Sequence, residues 1–240
     1  MSTAPQPQEA PPKKWNPRIL ILINAAYFIL FLVIILLIMR KWGSVQPWSA
    51  IDANVIVILA LSVVYCFQQL ILYPSVFRTK ASMNLFVGKH FDPKMPMWLG
   101  ILGAIELLGF ADYAHWHLVP ALRIPALQTV GLIVMFGGIL WLFYVDHYMG
   151  SHFLASWEQH RLMTGGPYRY VRHPRYVALL MSRLGFTLAI ASIIAYGTLL
   201  GWIFVVWLRI RREEVYLNQE FGPEYEQAMH RRARLLPGIY

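Results

Sequence analysis

Two blocks of this chain carry residues able to do chemistry beside apolar surroundings. The first, LMTGGPYRYVRHPRY from Leu162 to Tyr176, places a Gly-Gly-Pro turn and an Arg-His-Pro cluster between strongly apolar segments. The second, RIRREEVYLNQEFGPEY from Arg209 to Tyr225, follows another apolar run and supplies the adjacent carboxylates Glu213 and Glu214. Gly165 and Gly166 allow positive φ or close backbone approach, Pro167 and Pro174 restrict the chain, and Pro174 suits the first turn of a following helix. Such a bend can present backbone N–H groups to a ligand. Neighbouring glutamates on a helix point about 100° apart, so one can face a site while the other pairs with a basic neighbour. The two blocks read together as a buried, charged small-molecule site.

The elements that must position them are membrane helices. With 58% hydrophobic and 14% charged residues and a mean hydropathy of +0.48, the chain lies far from the roughly 25% charged of a soluble protein. Apolar runs predict an all-α, polytopic helical bundle of about six spans, five at least and seven at most, near 19–39, 52–74, 96–111, 125–147, 176–191 and 195–210. Residues 1–17, rich in Pro and Gln and without an apolar core, read as a disordered cytoplasmic tail and not a cleaved signal. Residues 18–149 read as N-terminal spans, and 150–240 as the region that carries both blocks, with a helical hairpin and a C-terminal cytoplasmic segment. With both termini inside, all of the 21 basic residues except Arg40, Lys41, Arg123 and Arg183 fall on the cytoplasmic side. Both blocks then face the cytoplasm. The charge of +9 is met by anionic headgroups, at about 1 kcal/mol per well-placed residue, and calls for no nucleic acid. A helical hairpin turning around Ser192 to Ala195 would return the second block to the membrane face of the first. Cys66, the single cysteine, reads as a small buried hydrophobe.

The spacing L-x-T-x-G-x-Y-x-x-x-R-H-P-x-Y from Leu162 to Tyr176, followed by R-x-E-E-x-x-L-x-x-x-F-G-x-E-Y from Arg211 to Tyr225, resembles the isoprenylcysteine carboxyl methyltransferase family and its bacterial and phospholipid-methyltransferase relatives. The resemblance covers the C-terminal third. It implies a membrane enzyme, here of a bacterial inner membrane, that uses S-adenosyl-L-methionine to methylate a lipophilic acceptor: an isoprenoid or prenylcysteine carboxylate, or a phospholipid-like amine. It further implies that Leu162, Gly165, Gly166, Tyr168, His173, Pro174 and Tyr176 line the cofactor pocket, with Glu213 and Glu214 holding the polar parts of the cofactor. Carboxylates suit its ammonium and sulfonium charges, and aromatic rings its adenine. Arg172 would orient an anionic acceptor by two-point contact. Leu162 and Trp207 would shape an entrance from the lipid. Many relatives place Gly two residues after the motif's last Tyr, where this chain has Ala178, and Arg183 within a span is unusual.

Two other readings compete. An NADPH-dependent sterol or isoprenoid double-bond reductase would share a C-terminal segment like Arg211 to Tyr240, and a non-catalytic membrane scaffold would leave the clustered turn and glutamates without a use. Arg169 and Arg175 read as a positive-inside anchor. Glu106, and Asp146 with His147, are ionisable groups at or near membrane depth, where helix pairing or a boundary position accounts for them. Asp112, His115 and His117 have only a loose metal-ligand spacing, and no metal is expected.

Overall fold

The computed structural model describes residues 53–68, 95–158, 161–230 and 232–236, with scattered positions between 22 and 37 that are helical. Helices α1 (Ala53–Phe67), α2 (Met95–Ala111), α3 (Pro125–Glu158), α4 (Pro174–Ile190), α5 (Ile193–Phe221) and α6 (Pro223–Met229) make up most of it. Among the described residues there is no strand, only a parallel bridge between Val171 and Ala233. Proline opens α3, α4 and α6, where its missing N–H has no partner to lose and its fixed φ already fits a helix. Helix α4 ends at Ala191 in the left-handed region, and Ser192 then caps α5 by accepting from Ile194 N. The expected hairpin is therefore present, turning at Ala191–Ser192. Helix α5 also runs on unbroken to Phe221, which puts Glu213 and Glu214 on the same rod as the apolar segment.

Helix α3 packs along α4, α5 lies against α2 and α4, and α1 packs on α3 and α4. Glycines set the α3–α4 distance. A Cβ at Gly185 would sit 2.2 Å from Met135 N, one at Gly131 2.5 Å from Ala189 N, and one at Gly138 2.6 Å from Ser182 N, so the backbones meet as small residues allow in membrane bundles. The core between α1, α2, α3 and α4 holds Ile58, Phe110, Met135, Leu142 and Phe186. A second apolar cluster, with Tyr176, Trp202, Val206 and Ile210, joins α4 to α5.

The outer faces are apolar as well: Ile133 on α3 and Leu200 on α5 expose 66% and 69% of their surface. Apolar surface of this extent needs lipid or another covering. Two described helices are long and apolar enough to cross a membrane, Pro125–His152 and Ile193–Phe221. The span expected at 125–147 is the start of a 34-residue helix. The span expected at 96–111 matches α2, and that at 176–191 matches α4 within two residues at each end. Of 52–74 the described part is α1 with Gln68, and most of 19–39 lies outside the described residues.

Candidate active site

The two sequence blocks meet at one end of the bundle. The chain leaves α3, forms the turn, and enters α4 through Arg172 and His173. Their backbone N–H groups donate to Ala233 O (2.9 Å) and Arg234 O (3.1 Å), so residues 232–236 lie along the motif as a strap. Arg172 Nε donates to Arg232 O at 2.7 Å and Nη1 to Glu214 Oε1 at 3.2 Å. Glu214 also accepts from Arg234 Nε with both oxygens, at 3.0 and 2.9 Å, and its Oε1 lies 3.4 Å from His173 Nε2. This carboxylate is largely enclosed, with 12% of its side chain exposed. Glu213 differs. It accepts from Tyr176 Oη at 2.9 Å and lies 3.8 Å from His173 Nδ1, yet 41% of its side chain is exposed. Of the pair, Glu214 is bound to cations and Glu213 is open.

Gly165, Gly166 and Tyr168 form a second group. Gly166 has φ +54°, and a Cβ there would lie 2.4 Å from the Tyr148 ring, while one on Gly165 would lie 2.6 Å from Tyr148 Oη. Glycine is needed at Gly166, where φ is positive and the Tyr148 ring of α3 occupies the space; at Gly165 a side chain would displace only the end of Tyr148. Tyr148 and Tyr168 have centroids 6.4 Å apart. Leu162 is half-buried in the segment ahead of the turn. Pro174 is buried, and its carbonyl accepts from Trp141 Nε1 at 3.2 Å, which fixes the start of α4 on α3. His173 and Tyr176 present rings 5.7 Å apart.

Several participants escaped the sequence reading. Arg234 was counted only among basic residues of one membrane face, and Tyr148 stood outside either block. Tyr225 closes the second motif, but nothing in its spacing set it apart. Its buried hydroxyl meets hydrogen-bond geometry with no group although it lies beside Arg172 and feels Glu213 and Glu214. Burial, with the Glu214 charge adding to it, pushes this phenol up to about 12, so it remains a donor at neutral pH. Arg175, expected as a positive-inside anchor, is also ion-paired: its Nε donates to Asp146 Oδ1 at 2.9 Å, Asp146 also accepts from Gln68, and Asp146 is buried. Asp146 thus serves helix pairing, as does Glu106, which accepts from Arg183 of α4 and Trp202 of α5. Asp112 caps the far end of the bundle, accepting from Leu118 N at 2.8 Å and Ser192 Oγ at 2.6 Å.

Comparison with known proteins bears on the chemistry. The family described as phospholipid methyltransferase matches residues 125–224. The chain is 32% identical over 171 residues to a protein-S-isoprenylcysteine O-methyltransferase of Dictyostelium discoideum, covering 67% of this chain and 68% of that one. It is 41% identical over 83 residues to that of Schizosaccharomyces pombe, covering 32% and 34%. It is 34% identical over 128 residues to a probable one of Oryza sativa subsp. indica, covering 46% and 64%. No solved structure matches. These relatives are eukaryotic, so the expected bacterial inner membrane gains no support, and none carries a reductase name, which leaves that reading without support as well. With two thirds of both sequences aligned to the first of these methyltransferases, the chain belongs to the isoprenylcysteine carboxyl methyltransferase family and is a methyltransferase.

Proposed function

We propose that this chain uses S-adenosyl-L-methionine to methylate the carboxylate of a lipophilic acceptor, a prenylated cysteine or an isoprenoid acid, where the membrane meets the cytosol. The observation that carries the reading is the convergence of the two motif blocks onto one cluster in which Glu213 is the carboxylate without an arginine partner. A cationic cofactor fits there. Glu213 Oε1 has no hydrogen bond among the described residues, and the buried Tyr225 hydroxyl, beside Arg172, donates to none of them. Glu213 would accept from the amine or ribose hydroxyls, since bonds to charged groups are among the strongest available. The half-buried ring of Tyr168 offers a face for adenine, and the buried rings of His173 and Tyr176 would back the pocket. Leu162, Gly165, Gly166 and Pro174 would shape the wall, and Glu214 would hold the cluster together through Arg172 and Arg234.

The bound cofactor would supply a methyl group on a positively charged sulfur. An acceptor carboxylate is already a nucleophile, so the residues of this chain need only align it and exclude water. Arg172 would do the aligning: its side chain is 22% exposed, held at Nε by Arg232 O and at Nη1 by Glu214, and near Tyr225. A phospholipid amine would instead need a group to take its proton. The bundle would cross the membrane about six times with the site facing the cytoplasm, a topology supported by the clustering of basic residues at the end that carries the motifs. The test is transfer of a labelled methyl group from S-adenosylmethionine to farnesylcysteine, with a phosphatidylethanolamine as the other arm. Base-labile label on the prenylcysteine is expected. Label on the lipid amine alone would overturn the carboxylate reading.

A further inference from the structure

Glu106 and Arg183 take no part in the methyl-transfer site proposed above. Arg183 lies on α4 seven residues past Tyr176, about 10 Å along the helix. Its guanidinium is held between two rings, 4.6 Å from the Tyr65 centroid and 4.3 Å from that of Trp202. Nη1 donates to Glu106 and Nη2 to Tyr65 Oη at 3.1 Å, while Trp202 Nε1 donates to the other Glu106 oxygen at 2.8 Å. The charges cancel, and four helices are tied together. Two polar atoms nevertheless stay unsatisfied: Arg183 Nε and Ser62 Oγ are buried with no hydrogen-bond partner. Ser62 is only 5% exposed. Both residues line one cavity of about 30 Å³, whose other walls include Cys66, Phe110 and Met135. A space of that size holds two or three oxygen-sized groups at most, given roughly 10–15 Å³ for each.

We propose that this cavity is a second binding site, which takes a neutral hydroxyl-type oxygen between Arg183 Nε and Ser62 Oγ. Charge selects the ligand. Glu106 already neutralises Arg183, so an added anion or cation would be an uncompensated charge among Phe110, Met135 and the ring of Tyr65. A neutral oxygen accepts from the guanidinium and either donates to or accepts from the serine, which removes both orphans at once. That oxygen comes from one of two sources, a water molecule or the hydroxyl of an alcohol dissolved in the membrane. Of the latter, only the polar tip enters the cavity.

Thermal unfolding of the full chain in detergent, wild type against Ser62→Ala, decides by sign. A bound oxygen makes the serine hydroxyl a satisfied group, and its removal lowers Tm by about 2–4 °C. In an empty cavity the same change deletes an unsatisfied buried hydroxyl and places a better helix former on α1, so Tm is unchanged or higher. Adding farnesol, with the hydrocarbon farnesene as control, identifies the source. If farnesol alone raises the wild-type Tm and Ser62→Ala does not respond, the oxygen belongs to an alcohol; a lowered Tm in Ser62→Ala with no farnesol effect assigns it to water. A Ser62→Ala protein at least as stable as wild type overturns the proposal; a farnesol shift of equal size in both proteins belongs to the acceptor site of methyl transfer and, with a lowered Tm in Ser62→Ala, again assigns the oxygen to water. S-adenosylmethionine affinity is measured alongside and is expected to be the same in both proteins, so this result stands apart from that of the methyl-transfer site.

Discussion

At the scale of single residues, the two adjacent glutamates have opposite surroundings, and their substitutions should fail in different ways. Glu213 is the open carboxylate. Glu213→Ala should weaken S-adenosylmethionine binding by about 10- to 150-fold in calorimetry, the loss of a hydrogen bond to a charged group at roughly 1.5–3 kcal/mol, with little change in Tm. Glu214 is the hub for Arg172, Arg234 and His173. Glu214→Ala removes the carboxylate that three partners share in a partly buried place and should cost on the order of 2 kcal/mol, seen as a Tm lower by about 4–8 °C. Equal effects of the two changes on affinity and on Tm would contradict the division. Arg172→Ala should lower turnover more than cofactor affinity, and Arg172→Lys should restore little, because a point charge reproduces neither the Arg232 carbonyl bond nor a planar grip on an acceptor. Near-normal turnover in Arg172→Ala would leave that residue with only its tie to the C-terminal strap.

At the scale of elements, the α3–α4 contact is the most constrained. Gly137 and Gly138 are neighbours on α3, yet a Cβ at Gly137 meets nothing within 4 Å while one at Gly138 reaches Ser182 N at 2.6 Å. Gly137→Ala should therefore be neutral or stabilise by about 1 kcal/mol through better helix propensity. Gly138→Ala should destabilise by about 1–3 kcal/mol, as overpacking does in a close-packed core. The comparison of Tm values in detergent is direct, and a Gly138→Ala protein as stable as Gly137→Ala would show that the two helices are free to separate. The contact reaches the site because α3 carries Trp141, Asp146 and Tyr148, which meet Pro174, Arg175 and the Gly165–Gly166 turn. A shift of α4 along α3 would move His173 and Tyr176 with it.

At the scale of the whole molecule, the bundle has two chemically distinct ends. One carries the motif blocks, Arg172, Arg175, Arg234 and the glutamates; the other is closed by Asp112, Ser192, Arg123 and His117. If the first faces the cytoplasm, reporter fusions after about residue 160 and at Tyr240 should read inside and a fusion near Val119 outside. A cytoplasmic reading near Val119 would require one span fewer between that residue and the motif.

The family resemblance, the pairing of a Gly-Gly-Pro turn with two glutamates, the hairpin that unites them and the helical, apolar nature of the chain were all legible in sequence, because each rests on local spacing or on composition. Proline at helix starts and long apolar runs act through the residues that contain them. What the tertiary structure alone decided is which polar groups find one another across helices. Nothing local tells Glu213 from Glu214; the difference arises because Arg234, twenty residues on, folds back onto one of them. Arg175 reads in sequence only as a positive-inside anchor because its partner Asp146 lies on another helix, and Arg183 is unusual there because Glu106, Tyr65 and Trp202 come from three others. Helix periodicity shows which face of a helix is polar. Which polar group sits opposite is fixed by packing, and in a low-dielectric interior that choice separates a structural ion pair from a carboxylate left open for a ligand.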